Sequence, residues 1–300
     1  MSCLSLNNSS VQPMKPAHRI QQGFTLVEIA VVLLIVGILL GYTVALFPRQ
    51  QELKQYRAVD AEMDRIMEAL VGFAQVNGRL PCPSNPASGG NEAPGGDAEC
   101  THFGGFVPVN TLGLTGRLNQ DALLMDPWGN PYRYYVSASN FLGAGGSDFV
   151  RAGEMRNVGL VDSDADTYID LDGQFVICDQ ADATLNDLCD APAVPVFGDP
   201  AGALGPYAGA PFVLVSHGKN WSDGAPAGDE LDNAGITLSN ALTTPMPNGA
   251  TGPYRLKDVE AGETTFVRRI TGFADDYDDI VKWVAPSILY SKMIDAGQLP

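Results

Sequence analysis

The first pattern in the chain is an uncharged apolar run over residues 29–47, followed by a polar segment with regularly recurring apolar residues. At about 1.5 Å per helical residue, the run is roughly 28 Å long, enough to cross a bilayer core. The recurring residues are spaced by three and four, which predicts an amphipathic helix. They are Tyr56, Val59, Met63, Ile66, Leu70 and Phe73. We therefore predict a nearly continuous helix over residues 24–76 that ends at Asn77-Gly78.

Beyond Gly78 the pattern changes to short apolar and β-branched pieces, separated by turns rich in Gly, Pro, Asn and Asp. A short terminal helix is predicted over residues 287–294. Extended segments are predicted at residues 104–109, 112–114, 132–136, 174–178, 211–216, 264–270 and 280–284. The predicted fold class is α+β, with a long N-terminal helix and a head of short strands. A stripe of six apolar residues could form a coiled coil but more often packs against a domain.

The hexapeptide from Gly23 to Glu28, GFTLVE, stands directly before the apolar run and after a short polar leader. It resembles the class III signal of type IV prepilins and type II secretion pseudopilins. The resemblance implies a pilin-like fold, in which the long N-terminal helix packs on a mostly antiparallel β-sheet head. It also implies cleavage between Gly23 and Phe24 by a membrane prepilin peptidase, and N-methylation of Phe24. It also implies that the Glu28 carboxylate pairs with the N-terminal ammonium of a neighbouring subunit, which sets the axial register.

A secretory signal peptide and a plain membrane anchor both fit the apolar run less well. A secretory signal peptide would carry small residues after the run, and residues 42–47 make a poor cleavage site. A plain membrane anchor has no use for Glu28. The expected organisation is a leader over 1–23, a membrane and filament-core helix over 24–47, its amphipathic half over 48–77 and a head over 78–300. Because pseudopilin heads are usually shorter, we interpret residues 138–211 as an insertion.

A second stretch, residues 126–131 (DPWGNP), resembles a turn of the major type II secretion pseudopilins. Weaker likenesses lie at residues 212–220 and 275–284. The resemblance implies a pseudopilin of a type II secretion system. The alternatives are a major or minor tip subunit of a type IV pilus, and a membrane-tethered binding module with disulfides.

The resemblance also implies where the chain is found and what it contacts. We expect a single-pass protein of the bacterial inner membrane with its head in the periplasm, later part of a periplasmic or extracellular filament. The expected partners are other subunits, the prepilin peptidase and an inner-membrane assembly platform.

The charge balance argues against nucleic acid or anionic lipid as a partner. The formal net charge is −17, and loss of the leader with Lys15 and Arg19 takes it to −19. Catalysis is not expected either. Ser216 and His217 are adjacent and cannot form a nucleophile–base pair with each other, and no Gly-x-Ser-x-Gly, His-Glu-x-x-His or Walker motif occurs. We expect His102 and His217 to be structural or exposed.

Four cysteines remain once Cys3 is removed with the leader: Cys82, Cys100, Cys178 and Cys189. They allow three connectivities, of which the local pairing Cys82–Cys100 and Cys178–Cys189 is the simplest. Each such disulfide would staple a long loop and contribute roughly 3 kcal/mol on the chain-entropy model. A metal site at Cys100 and His102 is the rival, but zinc sites usually place two cysteines closer together.

Two acidic clusters are candidate calcium sites, with solvated acidic loops as the alternative. Asp162, Asp164 and Asp166 alternate as in an EF-hand, but Thr167 replaces its glycine and Gly173 its bidentate glutamate.

The second cluster lies near the C terminus. It comprises Asp275, Asp276, Asp278 and Asp279, near the place where major pseudopilins bind a structural calcium. The neighbouring acidic loop adds Asp229, Glu230 and Asp232 as further candidate ligands. Carboxylates so closely spaced repel one another unless they spread apart or share a cation.

Overall fold

A computed structural model describes residues 23–143, 146–160, 170–179, 195–197, 209–219, 221, 229–235, 256–269 and 277–300. For residues 41–50, 195–197, 229 and 231 only the backbone is described. The chain separates into two compact units, one up to Leu53 and one from Lys54 to Pro300. Each unit is described by itself below.

Four α-helices and seven strands form the described architecture. The helices are α1 (Leu26–Asn77), α2 (Glu154–Val158), α3 (Asp229–Ala234) and α4 (Pro286–Asp295). The strands are β1 (Gly104–Phe106), β2 (Arg133–Val136), β3 (Val176–Cys178), β4 (Pro195–Phe197), β5 (Phe212–Ser216), β6 (Thr265–Val267) and β7 (Ile280–Trp283).

The first unit contains the start of α1. Thr25 precedes the helix, and its Oγ1 accepts a hydrogen bond from the backbone N–H of Glu28 at 3.2 Å. A threonine followed three residues later by glutamate is the capping-box pattern, which satisfies N–H groups that lack a helical partner. Where side chains are described, no helix carries an apolar stretch long enough to cross a membrane. The predicted span over 24–47 continues into side chains outside the described residues.

In the second unit, α1 from Lys54 onward covers the core with the predicted stripe. Val59, Met63, Ile66 and Leu70 are fully buried, whereas Tyr56 and Phe73 at its ends are half-buried. The helix ends where it was predicted to end: Gly78 takes φ 67°, and its N–H donates to the carbonyl of Ala74 at 2.8 Å. The stripe predicted from the hydrophobic spacing is thus the side of α1 that packs on the core of the head.

The strands form two sheets. The first has the order β1-β2-β5-β7 and is antiparallel throughout. The second has the order β4-β3-β6, with β3 antiparallel to β4 and parallel to β6. The described head is therefore mostly antiparallel, as predicted. Since β3 and β4 lie within residues 138–211, the segment interpreted as an insertion supplies two strands of the second sheet.

Two local predictions were wrong. Residues 229–233, predicted as an acidic loop, lie within α3. Residues 112–114, predicted as extended, belong to a turn in which the Leu112 N–H donates to the Pro108 carbonyl at 3.0 Å and Gly113 takes φ 66°. The short helix α2 and the strand β4 had no prediction. All of these elements have six residues or fewer, too few to show a clear periodicity.

A disulfide joins Cys82 and Cys100 across a separation of 18 residues. Within the loop that it closes, Glu92 accepts two hydrogen bonds from the guanidinium of Arg79, at 2.8 and 2.9 Å. The predicted loop is thus held by a covalent bond and a nearly buried ion pair. Cys178 is also disulfide-bonded, and its predicted partner Cys189 lies outside the described residues.

The buried Asp148 is expected to make the stability of the head depend on pH. Its carboxyl group is buried, accepts a hydrogen bond from the Phe141 N–H at 3.0 Å and lies near Glu99 and Glu154. Burial raises its pKa to about 6, from about 3.9 in an unfolded chain. Between these values the folded state binds the proton more tightly, so the free energy of unfolding falls as the pH rises from about 4 to about 6.

We therefore expect Asp148→Asn to be more stable than the wild type above pH 6 and about equally stable near pH 4, because the amide never ionises. Thermal unfolding of both proteins from pH 4 to pH 8 measures the difference. Asp295→Asn, at an exposed position, is the control. Its melting temperature should change with pH in the same way as that of the wild type. A difference between Asp148→Asn and wild type that does not change with pH would contradict the expectation.

Candidate functional site

The N-terminal motif presents its apolar side chains to the outside. Within the described first unit, the large apolar side chains from Phe24 to Leu40 are exposed, for example Phe24 at 76% and Leu26 at 87%. Glu28 is also exposed, and it occupies the third helical position after the Thr25 cap. A contiguous apolar surface of this kind marks a contact with lipid or with another protein.

A second candidate site lies in the head, where three buried carboxylates converge. Glu230 comes from α3, while Asp278 and Asp279 stand directly before β7, and the ligand oxygens of the three lie within 4.8 Å of one another. The three residues are 8%, 5% and 4% exposed. Carboxylate oxygens are the ligands that calcium prefers in proteins, so the donor set fits this ion.

Asp279 is held from two sides. Its Oδ1 lies 3.1 Å from Nδ1 of His217, which follows β5, and its Oδ2 accepts a hydrogen bond from Nδ2 of Asn233 in α3 at 2.9 Å. The His217 ring is itself stacked on Trp221 with ring centroids 4.2 Å apart. These contacts fix the direction in which the Asp279 carboxylate points.

Asp278 is held by the backbone that follows β5. Its Oδ2 accepts a hydrogen bond from the Lys219 N–H at 2.5 Å, and its own N–H donates to Oε1 of Glu230 at 3.3 Å. Gly218 takes φ 62°, and a Cβ there would lie 2.4 Å from the Asp278 carboxyl carbon. Only glycine fits this close approach without a shift of the backbone.

The turn over residues 126–131 supports the same loop. The Asp126 Oδ1 accepts hydrogen bonds from the N–H groups of Trp128, Gly129 and Asn130 at 2.8 to 2.9 Å. Its Oδ2 accepts one from the Ser216 hydroxyl at 2.9 Å. Burial raises the pKa of Asp126 and these hydrogen bonds oppose the rise.

Two side chains of this turn make contacts outside it. The Asn130 side-chain amide donates to the Gly218 carbonyl at 2.6 Å, and the Trp128 ring packs on Tyr56 of α1 with centroids 4.9 Å apart. The turn thus connects the loop that holds Asp278 with the helix.

The structure brings together only part of the predicted acidic residues. Asp278, Asp279 and Glu230 converge, whereas Asp232 is also buried and is not one of the three converging carboxylates. Asp275, Asp276, Asp162, Asp164 and Asp166 lie outside the described residues, as does the side chain of Asp229.

Sequence reasoning missed two contributions to this cluster. His217, predicted to be structural or exposed, is buried and bonded to Asp279, which is a structural role, but the sequence did not indicate its place in this cluster. Asn233 had no prediction at all, because a single asparagine in an acidic stretch carries no signal for such a role. His102 is exposed.

The exposed apolar helix start with its single carboxylate is the part that comparison with known proteins identifies. Residues 18–44 match the family model of the prokaryotic N-terminal methylation motif. This motif is the class III signal of the type IV pilin and pseudopilin family. The match ends before the amphipathic half of α1 and leaves the head uncovered. Neither the curated proteins nor the solved structures contain a significant match to the chain.

Proposed function

We propose that the chain is a structural filament subunit and not an enzyme. A prepilin peptidase cleaves between Gly23 and Phe24 and methylates the new N terminus, after which the subunit assembles through its N-terminal helix. The observation that carries this proposal is the methylation motif over residues 18–44. Within this range, Gly23, Phe24 and Glu28 come directly before the apolar run over residues 29–47.

The exposure of that segment supports the proposal physically. Its large apolar side chains from Phe24 to Leu40 are exposed in the described unit, so they gain from contact with lipid tails or with the same segment of other copies. We propose that residues 24–47 anchor the subunit in the bacterial inner membrane, with the head in the periplasm, before it joins the filament.

Glu28 would form an ion pair between neighbouring subunits in the proposed filament. A carboxylate in apolar surroundings is costly unless it is paired, and the ammonium of a cleaved neighbour supplies a partner of opposite charge. The pair reduces two desolvation penalties and fixes how far one subunit is shifted along the next.

The leading system is a type II secretion pseudopilin, supported by the likeness of residues 126–131 to a turn of the major pseudopilins. The alternative is a major or minor subunit of a type IV pilus, supported by the additional sheet that residues 138–211 help to build. In either system the partners are other subunits, the peptidase and an inner-membrane assembly platform.

Assembly is tested by co-expressing the full chain with a prepilin peptidase and an assembly platform, then measuring the fraction of chain that sediments with sheared filaments. The proposal predicts sedimentation that depends on the peptidase. A processed chain that never sediments with filaments would contradict it. Export of a folded enzyme by the same cells would favour secretion, and long surface filaments would favour a pilus.

We also propose that Glu230, Asp278 and Asp279 hold a structural calcium ion. Three carboxylates with oxygens within 4.8 Å repel strongly in a buried setting, and a hard divalent cation offsets that repulsion. His217, Asn233 and the Lys219 N–H hold Asp278 and Asp279 in place for it. The ion would join α3, the end of β5 and the start of β7.

Calcium should therefore raise the melting temperature of the full chain in detergent. At about a hundredfold excess over the dissociation constant, a bound ion contributes about 2.7 kcal/mol, or roughly 5–10 °C for a domain of this size. Asp279→Asn should abolish the difference in melting temperature between calcium and EGTA, whereas Asp295→Asn, at an exposed position of α4, should leave it unchanged. Equal melting temperatures of the wild type in calcium and EGTA would refute the calcium proposal.

A further inference from the structure

Strand β6 lies at an edge of the second sheet, where the side chain of Asn233 takes the position of a further strand. The sheet order is β4-β3-β6, so among the described strands only β3 pairs with β6. The Val267 N–H donates to Oδ1 of Asn233 at 2.7 Å, and the Val267 carbonyl accepts from Nδ2 of Asn233 at 2.9 Å. A carboxamide offers the same donor and acceptor as a peptide group. Asn233 therefore closes the open edge of β6 at this residue.

The same amide also contacts the carboxylate cluster. Nδ2 of Asn233 donates to Oδ2 of Asp279 at 2.9 Å, and Asn233 is fully buried. The two hydrogens of Nδ2 are thus directed at the Val267 carbonyl and at Asp279. A reversed amide would set its oxygen against both of these acceptors. The contacts with Val267 and Asp279 therefore fix one orientation of the Asn233 side chain.

Asp279 connects this edge of the sheet to the other two carboxylates. Its ligand oxygen lies within 4.8 Å of those of Glu230 and Asp278. Like charges so close together in a buried setting repel one another, which favours movement of Asp279 away from the other two. A divalent cation between the carboxylates attracts all three and opposes that movement. The position of Asp279, and with it the hydrogen bond to Asn233, therefore depends on the cation.

We propose that a calcium ion bound at the three carboxylates tightens the edge of the second sheet, and that Asn233 couples the two places. The inference rests on the calcium site proposed above. An ion that holds Asp279 in place also holds the Asn233 amide in the orientation that bonds Val267. Since β3 and β4 come from residues 138–211, calcium determines how firmly this additional part of the head is held.

Coupling of this kind is reciprocal. If calcium favours the closed edge of β6 by some factor, the closed edge favours calcium binding by the same factor. Loss of the Asn233 amide should therefore weaken calcium binding, although Glu230, Asp278 and Asp279 are all retained. A residue that only supported β6 would leave the dissociation constant of calcium unchanged.

Tyr277 offers a matched control on the same strand edge. Its hydroxyl donates to the Val267 carbonyl at 2.6 Å and lies 3.3 Å from Nδ2 of Asn233. Tyr277→Phe removes a hydrogen bond to β6 and leaves the hydrogen bond between Asn233 and Asp279 in place. It should speed amide exchange in β6 to a similar extent in calcium and in EGTA.

Hydrogen exchange of the full chain in detergent, followed by mass spectrometry in calcium and in EGTA, tests the coupling. In the wild type, calcium should slow exchange at residues 265–267 by at least about tenfold more than at residues 133–136 of β2, which report general stabilisation. In Asn233→Ala, calcium should slow exchange equally in the two segments. Isothermal titration should show an increase of about tenfold in the dissociation constant of calcium for Asn233→Ala, and no change for Tyr277→Phe.

The comparison within the wild type tests the inference without any variant. If calcium binds but slows exchange at residues 265–267 no more than at residues 133–136, the inference is overturned and the calcium site stands. An Asn233→Ala chain with the wild-type dissociation constant for calcium would overturn it too. A wild type that binds no calcium in the titration would refute the calcium site and this inference with it.

Discussion

Glu28→Ala is expected to remove nearly all filament assembly while leaving cleavage after Gly23 intact. In the proposed filament, the Glu28 carboxylate is the partner of a neighbour's N-terminal ammonium in apolar surroundings. Removing one member of a buried ion pair costs about 3–5 kcal/mol, which corresponds to at least about a hundredfold weaker contact. The sedimenting fraction and the mass of the processed chain are measured on the same cells.

A second variant separates the charge of Glu28 from its position in the capping box at the helix start. Thr25 caps the backbone N–H of Glu28, and a capping box accepts glutamine as well as glutamate at this position. Glu28→Gln therefore keeps the cap and removes the charge. Loss of assembly in both variants would assign the effect to charge. If Glu28→Gln assembles as well as the wild type does, the carboxylate has no role in register and Glu28 serves the helix start alone.

Ile66→Ala is expected to destabilise the head by about 2–5 kcal/mol. Ile66 is fully buried in the stripe by which α1 covers the core, so truncation leaves a cavity between helix and sheet. The three tryptophans all lie beyond Lys54, so their fluorescence reports on the second unit. Unfolding of the full chain in detergent by urea, followed by tryptophan emission, measures the change.

Val76→Ala is the matched control for this substitution. Val76 belongs to the same helix and is 77% exposed, and exposed substitutions usually change stability by about 0.5 kcal/mol or less. Equal stabilities of Ile66→Ala and Val76→Ala would mean that the stripe does not pack on the core as described.

The longest element could be predicted from the sequence with nearly correct ends. Helix α1 spans Leu26–Asn77 against a predicted 24–76, because the apolar spacing extends over many turns and Asn77-Gly78 gives an explicit stop. Strands β2, β5 and β7 also fall within their predicted segments, since aromatic and β-branched residues cluster between strong turn signals.

The pairing of strands could not be predicted in the same way. The parallel pair β3–β6 joins segments about ninety residues apart, and no local pattern states which strands meet. Helix α3 was missed because its sequence, DELDNA, is too short and too polar to show a hydrophobic face. It is placed by tertiary contacts, among them the Asn233 side chain, which bonds both backbone groups of Val267 on β6.

The two candidate sites also differ in how far the sequence predicts them. Gly23, Phe24 and Glu28 are contiguous in sequence, so a motif identifies them without knowledge of the fold. The carboxylate cluster joins residues from positions 230, 278 and 279. Local acidity indicated the region, but only the fold selects Glu230 over Asp232 and brings His217 and Asn233 to Asp279.

The mass of the mature N terminus is the measurement to make first. The full chain is expressed with and without a prepilin peptidase, and its N-terminal peptide is identified by mass spectrometry. Processing as a filament subunit predicts a peptide that begins at N-methylated Phe24, and only when the peptidase is present. An uncleaved chain, or a cleavage beyond Phe47, would contradict that processing and leave a tethered or secreted head.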